Sequence, residues 1–411
     1  MRQSEKLAIQ ATEAYNAGKV GEAVTLFQNV LRLDPKDRRA LNFLAHYTLQ
    51  SGQFDAAIRF LADLIKTEPA NSNARRMLGE ALEMKNLPEQ AEQMYRDALV
   101  ADPENLMAAI YLAMLLGRQG KVDKAAQIIS LAFQADPTFI EYGYAPEVFP
   151  AAAKRVRDAD ALLRAHLNAQ HREAAKGSER IARAIWPQIP LERFEYTTPG
   201  QQPWLFYLPD LPAAQIHDAA SVPGLAELTA SLEAIRTEAA ASVNLETDGE
   251  PGAPGLPAVM ASGAIRSVFL YRNGERQEAL DALPALEAAL GKLNLGKMAG
   301  NPADVRLLIL APGAERQLVF GQSNAHLTVH LPLVAGENAG VEIDGTVHDW
   351  AAGQPLVFDD TFEHKLVNRG DSPVMVLHTQ VYHPELTAED IAAIEASFNA
   401  RRDWLNTRSV E

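Results

Sequence analysis

The chain has 411 residues, of which 47% are hydrophobic and 22% charged, so it is long enough for two or three domains with apolar cores. Its formal net charge of −15 disfavours nucleic acid and anionic membranes as ligands, and the absence of cysteine excludes disulfides and thiolate metal sites. The N-terminal segment lacks the apolar core of a secretory signal, and no apolar run reaches the roughly 18 residues of a membrane span. We therefore expect a cytoplasmic protein.

The first third of the sequence repeats with a period of 34 residues. Small residues recur at this step, at Ala11, Ala45, Gly79 and Ala113, and a proline follows an acidic residue at Pro35, Pro69, Pro103 and Pro137. Residues that tolerate a left-handed backbone recur at Gly18, Gly52, Asn86 and Gly120, where a first helix would end. The pattern resembles the tetratricopeptide repeat (TPR) family and predicts four helical pairs over residues 1–137.

Residues 138–199 are predicted to cap the last repeat and to connect the repeats to the C-terminal domain. A long helical pattern runs from about residue 151 to 184, and its polar face suits a helix that covers the last apolar surface of a solenoid.

The TPR resemblance also implies a groove lined by the first helix of each pair. The predicted peptide-binding positions are Arg39, Asn42, His46, Asn73 and Arg76. Arginine and amide side chains can bind carboxylates or the backbone of an extended segment, so the predicted partner is a protein or peptide. The same residues could equally form an ordinary solvated face.

From about residue 200 to the end, the pattern changes to that of a β domain. After Asp304, short apolar segments such as VRLLILAPG and AHLTVHLPLV are separated by glycine-containing turns, which predicts a small barrel or sandwich. Four motifs then stand in order: PG(x)7GxxN at Pro312–Asn324, HLPL at His330–Leu333, W(x)2G(x)4FDDTFEH at Trp350–His364 and YHPEL at Tyr382–Leu386.

Together these motifs resemble the aspartyl/asparaginyl β-hydroxylase domain over roughly residues 200–390. The resemblance implies an α + β multidomain protein whose C-terminal domain, residues 200–411, is a double-stranded β-helix with flanking helices. It also implies iron(II) and 2-oxoglutarate as the family's cofactor and co-substrate, although the identity of any cofactor in this chain stays open.

The family binds iron through two histidines, and the matching residues here are Val319 and His364. It holds 2-oxoglutarate through a serine, two arginines and a histidine, and the matching residues are Leu308, Thr328, His330 and Val374. A valine in place of an arginine leaves a carboxylate of the co-substrate without its charge partner. We therefore expect a repacked, drier pocket and impaired iron and 2-oxoglutarate chemistry, with His330 retained from the co-substrate set.

Three histidines, His330, His364 and His378, are predicted to point into the interior from different strands. They could hold a divalent metal ion, or each could be a core residue with a hydrogen-bond partner. Asp359 and Asp360 are expected to be structural and to accept backbone hydrogen bonds.

Three functions follow from these patterns. The chain could be an active peptidyl Asp/Asn hydroxylase that recruits its substrate through the TPR groove. It could be a catalytically impaired member of the family that serves as a binding protein. It could also be an enzyme or sensor with a metal site rebuilt from histidines.

Overall fold

The computed structural model describes residues 2–145, 150–252, 264–298 and 300–409. The chain divides into two compact units, Met1–His166 with Thr407–Glu411, and Leu167–Asn406. The predicted domain limits at residues 137 and 199 stay predictions. None of the described helices is both long and apolar enough to cross a membrane.

The first unit is built from helical repeats. Its helices are α1 (Gln3–Asn16), α2 (Val20–Leu33), α3 (Arg38–Gln50), α4 (Phe54–Thr67), α5 (Ser72–Met84), α6 (Pro88–Ala101), α7 (Leu106–Arg118), α8 (Val122–Ala135) and α9 (Phe139–Tyr142), followed by the start of α10 (Pro150–Ala174). Helices α1 to α8 pack in consecutive pairs, as the repeat predicts.

Local chemistry at each end of these helices explains the pairing. The turns inside the pairs have left-handed φ values at Gly18 (77°), Gly52 (72°), Asn86 (59°) and Gly120 (80°), so the prediction for these positions is confirmed. Between pairs, the side chains of Asp37, Asn71 and Asn105 accept hydrogen bonds from the backbone N–H three residues later and cap α3, α5 and α7.

The second unit contains the strands and the remaining helices. Its strands are β1 (Ile216–His217), β2 (Glu250–Pro251), β3 (Ile265–Arg272), β4 (Glu275–Arg276), β5 (Lys297–Met298), β6 (Asn301–Pro302), β7 (Asp304–Leu310), β8 (His326–Val334), β9 (Ala339–Ile343), β10 (Thr346–Asp349), β11 (Leu356–Phe358), β12 (His364–Asn368) and β13 (Val374–Tyr382). Its helices are α11 (Glu179–Ala182), α12 (Leu225–Ala230), α13 (Leu232–Ser242), α14 (Pro284–Leu290) and α15 (Ala388–Thr407).

Two antiparallel sheets dominate this unit. The larger sheet has the order β1-β11-β8-β13-β7-β3-β2, with β4 paired to β3, and the smaller has the order β10-β9-β12. The predicted fold class is therefore confirmed at the level of helical repeats followed by antiparallel sheets. The strand pairs of the described residues form no closed barrel, and the finer assignment to a double-stranded β-helix stays a prediction.

The central strands β7, β8 and β13 of the large sheet are buried on both faces, because alternate side chains enter two different cores. On β8, Leu327, Val329 and Leu331 pack against α12, α13 and α14. On the opposite face, side chains of β7 and β13 pack with Val341 and Leu366 of the smaller sheet. The candidate site lies on this second face.

Candidate functional site

The neighbouring strands β8 and β13 bring two of the predicted histidines together. His330 and His378 are directly opposite each other in the strand register. The His330 Nε2 and His378 Nδ1 atoms lie 2.9 Å apart, so one ring donates a hydrogen bond to the other. Among the described residues, His330 Nδ1 has no hydrogen-bond partner.

The third histidine, His364, begins β12 in the smaller sheet. The segment before β8 lies beside it, and Val319 and His364 exchange two backbone hydrogen bonds of 3.0 Å. The His364 Nδ1 atom is 3.0 Å from the carbonyl oxygen of Phe362, so Nδ1 carries the proton and donates. The structure thus places Val319, the residue that matches the family's first iron ligand, next to the residue that matches the second.

All three histidines line one cavity of about 60 Å³. Its walls also include Arg316, Val319, Thr328, Phe358, Asp360 and Gln380, and the half-exposed Trp204 contributes at its edge. The prediction that the three histidines point into a common interior therefore agrees with their positions.

Burial keeps the three imidazoles neutral. It lowers the pKa of His330 to about 3 and that of His364 to about 4, and it lowers the pKa of His378 well below its usual value. Nearby cationic groups, including Arg316, act in the same direction. At neutral pH these rings are polar groups without charge.

Asp360 is a buried carboxyl group at the cavity wall. Its Oδ2 accepts hydrogen bonds from Thr328 Oγ1 at 2.9 Å and from Gln380 Nε2 at 3.0 Å, whereas Oδ1 has no partner among the described residues. Burial, together with the charge of Asp359, raises the pKa of Asp360 to about 7.

The two aspartates, both expected to accept backbone hydrogen bonds, differ in their partners. Asp359 accepts the backbone N–H of Thr361 at 2.9 Å, as expected of a turn aspartate. The Asp360 carboxylate binds side chains instead and faces the cavity.

Sequence reasoning missed Arg316, whose side chain is 5% exposed and lines the cavity. Glu315 pairs with Val367 and Val319 with His364, so one strand segment has an extra residue between these two pairs. Such a bulge breaks the alternation of inward and outward side chains, and both Arg316 and Val319 face the interior. Arg316 is an isolated arginine between exposed neighbours, so the sequence shows no hydrophobic alternation from which its inward position could be predicted.

The residues present do not fit the iron and 2-oxoglutarate that the resemblance implies. Val319 offers no ligand atom beside His364, and the described residues contain no group of three or more His, Cys, Asp or Glu side chains positioned to hold a metal ion. The three-histidine metal site therefore stays a hypothesis.

The positions for 2-oxoglutarate are also changed in chemistry. Leu308 and Val374 are fully buried and belong to the apolar core between the sheets. Thr328 is bonded to Asp360, and the retained His330 is bonded to His378. A cavity of about 60 Å³ is also well below the roughly 300–1,000 Å³ of typical ligand pockets.

In the first unit, the five predicted groove residues line one common cleft of about 650 Å³. Two are engaged within the chain: Arg76 pairs with Glu80 at 3.2 Å and lies 5.0 Å from the centre of the Tyr111 ring, and Asn73 Oδ1 accepts a 3.4 Å hydrogen bond from Asn105. Arg39 is more open, with 55% of its side chain exposed and an Asp37 contact of 3.4 Å. Burial and Arg76 lower the pKa of His46.

Fold and site together define a helical-repeat protein with a β domain built around a small polar cavity. Comparison with protein-family models finds the same two parts of the chain. Residues 14–80, 48–99 and 85–138 match tetratricopeptide repeat models, and residues 229–384 match the model described as aspartyl/asparaginyl beta-hydroxylase. The chain thus contains TPR repeats in its N-terminal region and an aspartyl/asparaginyl β-hydroxylase family domain at residues 229–384.

Similar curated proteins carry corresponding names. The aspartate beta-hydroxylase domain-containing protein 1 of Mus musculus is 28% identical over 210 residues, which cover 48% of this chain and 56% of that protein. The Homo sapiens protein of the same name is also 28% identical over 210 residues, covering 48% of this chain and 52% of that protein. The chain thus spans about half the length of these relatives.

Solved structures with a similar backbone include MamA proteins. One described as the crystal structure of MamA protein has a TM-score of 0.32 at 21% identity and covers 38% of this chain and 89% of that one. MamA from Desulfovibrio magneticus RS-1 has a TM-score of 0.31 at 24% identity and covers 33% and 77%.

Proposed function

We propose that this chain is a cytoplasmic binding protein of the aspartyl/asparaginyl β-hydroxylase family, in which the TPR module recruits a protein or peptide and iron-dependent hydroxylation is impaired. The observation that carries the proposal is the pair formed by Val319 and His364, which exchange backbone hydrogen bonds of 3.0 Å. An imidazole at position 319 would lie on the same face as His364 and could bind the same ion. The valine at this position has no ligand atom.

Loss of one ligand is decisive for iron because the family's protein ligand set has only two histidines. A single neutral imidazole with water does not retain an exchangeable divalent ion at the affinity that turnover requires. The neighbouring Arg316 adds a positive charge to the same cavity, and this charge further disfavours a cation.

Binding of 2-oxoglutarate is impaired because the position that matches the family's arginine, the charge partner of a co-substrate carboxylate, is Val374. Val374 and Leu308 present only apolar surface between the two sheets, so a dicarboxylate placed against them would leave a charge unpaired in a dry environment. The fully buried state of both side chains means that admitting the co-substrate there would require the core to open.

The direct test measures metal content and co-substrate turnover in the full chain. We expect purified protein, incubated with iron(II), ascorbate and 2-oxoglutarate under air, to form no succinate above the level of a His364→Ala variant. Succinate formation that depends on His364 would instead identify the chain as an active hydroxylase with an altered site.

The recruiting role is proposed from the cleft that contains Arg39, Asn42 and Arg76. Arg39 is more than half exposed, and its one ion pair among the described residues is an Asp37 contact of 3.4 Å, so its charge is available to a carboxylate. Arg76 would have to share its charge with Glu80. We therefore expect an extended segment that carries acidic or amide side chains. Each charge-assisted hydrogen bond would contribute about 1.5–3 kcal/mol when it excludes water.

An array of extended acidic and amide-rich peptides tests this surface. The Arg39→Glu/Arg76→Glu variant is expected to lose the peptides that the unmodified chain binds. The matched control is Arg32→Glu/Arg59→Glu, which makes the same charge change on exposed faces of α2 and α4, outside the cleft. Equal loss in both variants, or no loss in either, would show that the cleft is not the recruiting surface.

A further inference from the structure

Arg316 is a buried cation without a counter-ion among the described residues. Only 5% of its side chain surface is exposed, its Nε atom has no hydrogen-bond partner, and it forms no ion pair within 4.0 Å of a described carboxylate. Such a group is unfavourable, because its Nε–H has lost water without gaining an acceptor. Burial accordingly lowers the pKa of Arg316 to about 10, although Asp360 partly offsets this effect.

The groups around Arg316 do not supply the missing negative charge. The three imidazoles are neutral at physiological pH. Asp360, whose pKa is raised to about 7, is only partly ionised there and forms no ion pair with Arg316 within 4.0 Å. Asp304, the other carboxylate at the cavity, is in contact with the guanidinium of Arg306. Arg306 is therefore neutralised within the fold, whereas Arg316 is not.

The cavity is thus electrostatically suited to an anion rather than to a metal cation. A guanidinium presents parallel N–H groups that match the two oxygens of a carboxylate. The cavity volume of about 60 Å³ limits the size of the ligand. Since one water-sized group needs roughly 10–15 Å³, the cavity has room for only a few such groups and favours a ligand smaller than a five-carbon dicarboxylate.

We propose that this cavity is a binding site for a small monocarboxylate of formate to acetate size, held by the Arg316 guanidinium. This inference goes beyond the proposed function, which concerns only the loss of iron and 2-oxoglutarate. The carboxylate would take the place of the missing counter-ion, and its one or two carbon atoms would lie against Val319, Phe358 and Leu366, the apolar part of the wall. The partly exposed Trp204 and Gln322 mark the side from which it enters.

The test titrates the full chain with sodium formate and sodium acetate while sodium chloride keeps the ionic strength constant. Calorimetry gives the affinity, and the rise in melting temperature gives a second readout. Saturable binding of either carboxylate is expected in the unmodified chain. Arg316→Gln, which keeps a polar side chain but removes the charge and the fork of donors, should bind roughly ten- to a hundredfold more weakly.

Two further variants separate binding from folding. Arg316→Lys keeps the charge but loses the bidentate geometry, so an intermediate affinity is expected. The matched control is Arg369→Gln, which removes an exposed arginine that pairs with Glu342 at 2.7 Å outside the cavity and should bind as the unmodified chain does. If Arg316→Gln does not fold, the comparison of Arg316→Lys with Arg369→Gln still tests whether the carboxylate binds at Arg316.

Three outcomes would overturn the proposal. They are no saturable binding by the unmodified chain, undiminished binding by Arg316→Gln, and stabilisation by chloride equal to that by the carboxylates. None of them bears on iron content or succinate formation, so failure here is distinguishable from failure of the proposed function.

Discussion

Val319 and His364 face each other across a pair of antiparallel segments, joined by two backbone hydrogen bonds of 3.0 Å. Val319 belongs to the irregular stretch before β8 and His364 begins β12. The two residues are therefore distant in the sequence, and only the fold brings them together. Their side chains share one wall of the same cavity. The loss of one imidazole at this position is therefore a change in a pair of adjacent side chains, not in two independent sites.

The first prediction is that Val319→His restores a divalent metal site. Two imidazoles on neighbouring backbones can bind one ion with water completing the shell, so affinity for cobalt(II) or zinc should rise roughly tenfold or more. Titration calorimetry and the cobalt absorption spectrum would measure it.

The control for this variant is Leu318→His. Leu318 is 49% exposed, so its imidazole would lie outside the cavity and should not raise the affinity. Adding His364→Ala to Val319→His should abolish the gain. A gain of equal size in Leu318→His, or one that survives His364→Ala, would contradict the assignment of these positions.

The second prediction concerns the pH dependence of stability and Asp360. The pKa of this carboxyl group is raised to about 7 in the folded protein, against about 3.9 for an unfolded aspartate. The folded chain therefore binds more protons between these values, so the contribution of Asp360 to stability is complete below about pH 4 and is lost as the pH rises through about 7.

Asp360→Asn should remove this contribution and flatten the fall in unfolding free energy between about pH 4 and 7. Urea unfolding at a series of pH values would measure it, and taking the difference from the unmodified chain cancels the buried histidines that both proteins share. Asp371→Asn, at an exposed position outside the cavity, is the control. Parallel curves for Asp360→Asn and the unmodified chain would show that Asp360 is ionised in the folded state as in the unfolded one.

The third prediction is that His330 and His378 are energetically coupled. Their 2.9 Å hydrogen bond is buried, so replacing either residue by leucine leaves a ring nitrogen of the other without a partner and should cost about 1–3 kcal/mol. The double variant removes both polar groups and should cost less than the sum of the two single changes. Unfolding free energies of the four proteins would give the coupling, and strict additivity would be inconsistent with the bond.

The fourth prediction concerns the single glycine among the small repeat positions. A Cβ atom at Gly79 would lie 2.5 Å from Cε1 of the fully buried Tyr95, so Gly79→Ala should destabilise the repeats by about 1–3 kcal/mol. Without the clash, alanine in a helix would stabilise by up to about 1 kcal/mol.

Thermal unfolding of Gly79→Ala combined with Tyr95→Leu tests the cause. The double change reproduces the combination of Ala45 and Leu61 found one repeat earlier, so it should recover much of the loss. If the loss persists in the double variant, contact with Tyr95 is not its source.

Much of the helical region could be predicted from the sequence alone. A helical pair depends on local features, namely a cap, a left-handed turn and a small residue where helices touch, and each of these recurs every 34 residues. The turn positions at Gly18 and Asn86 and the pairing of α1 with α2 follow from such features. In the second unit, the apolar segments likewise predicted short strands, and alternation along them predicted an inward position for His330 and His378.

The candidate site was decided by tertiary structure. A bulge between two strand segments brings Arg316 and Val319 to the same cavity wall, and no local pattern in the sequence marks it. The side-chain bonds of Asp360, to Thr328 and Gln380, join residues 32 and 20 positions away. The sequence by itself determined which strands and repeats form, because those depend on periodic local chemistry. Only the packing of the two sheets decided which polar side chains meet and that the charge of Arg316 has no counter-ion among the described residues. Both depend on contacts between residues that are distant in the sequence.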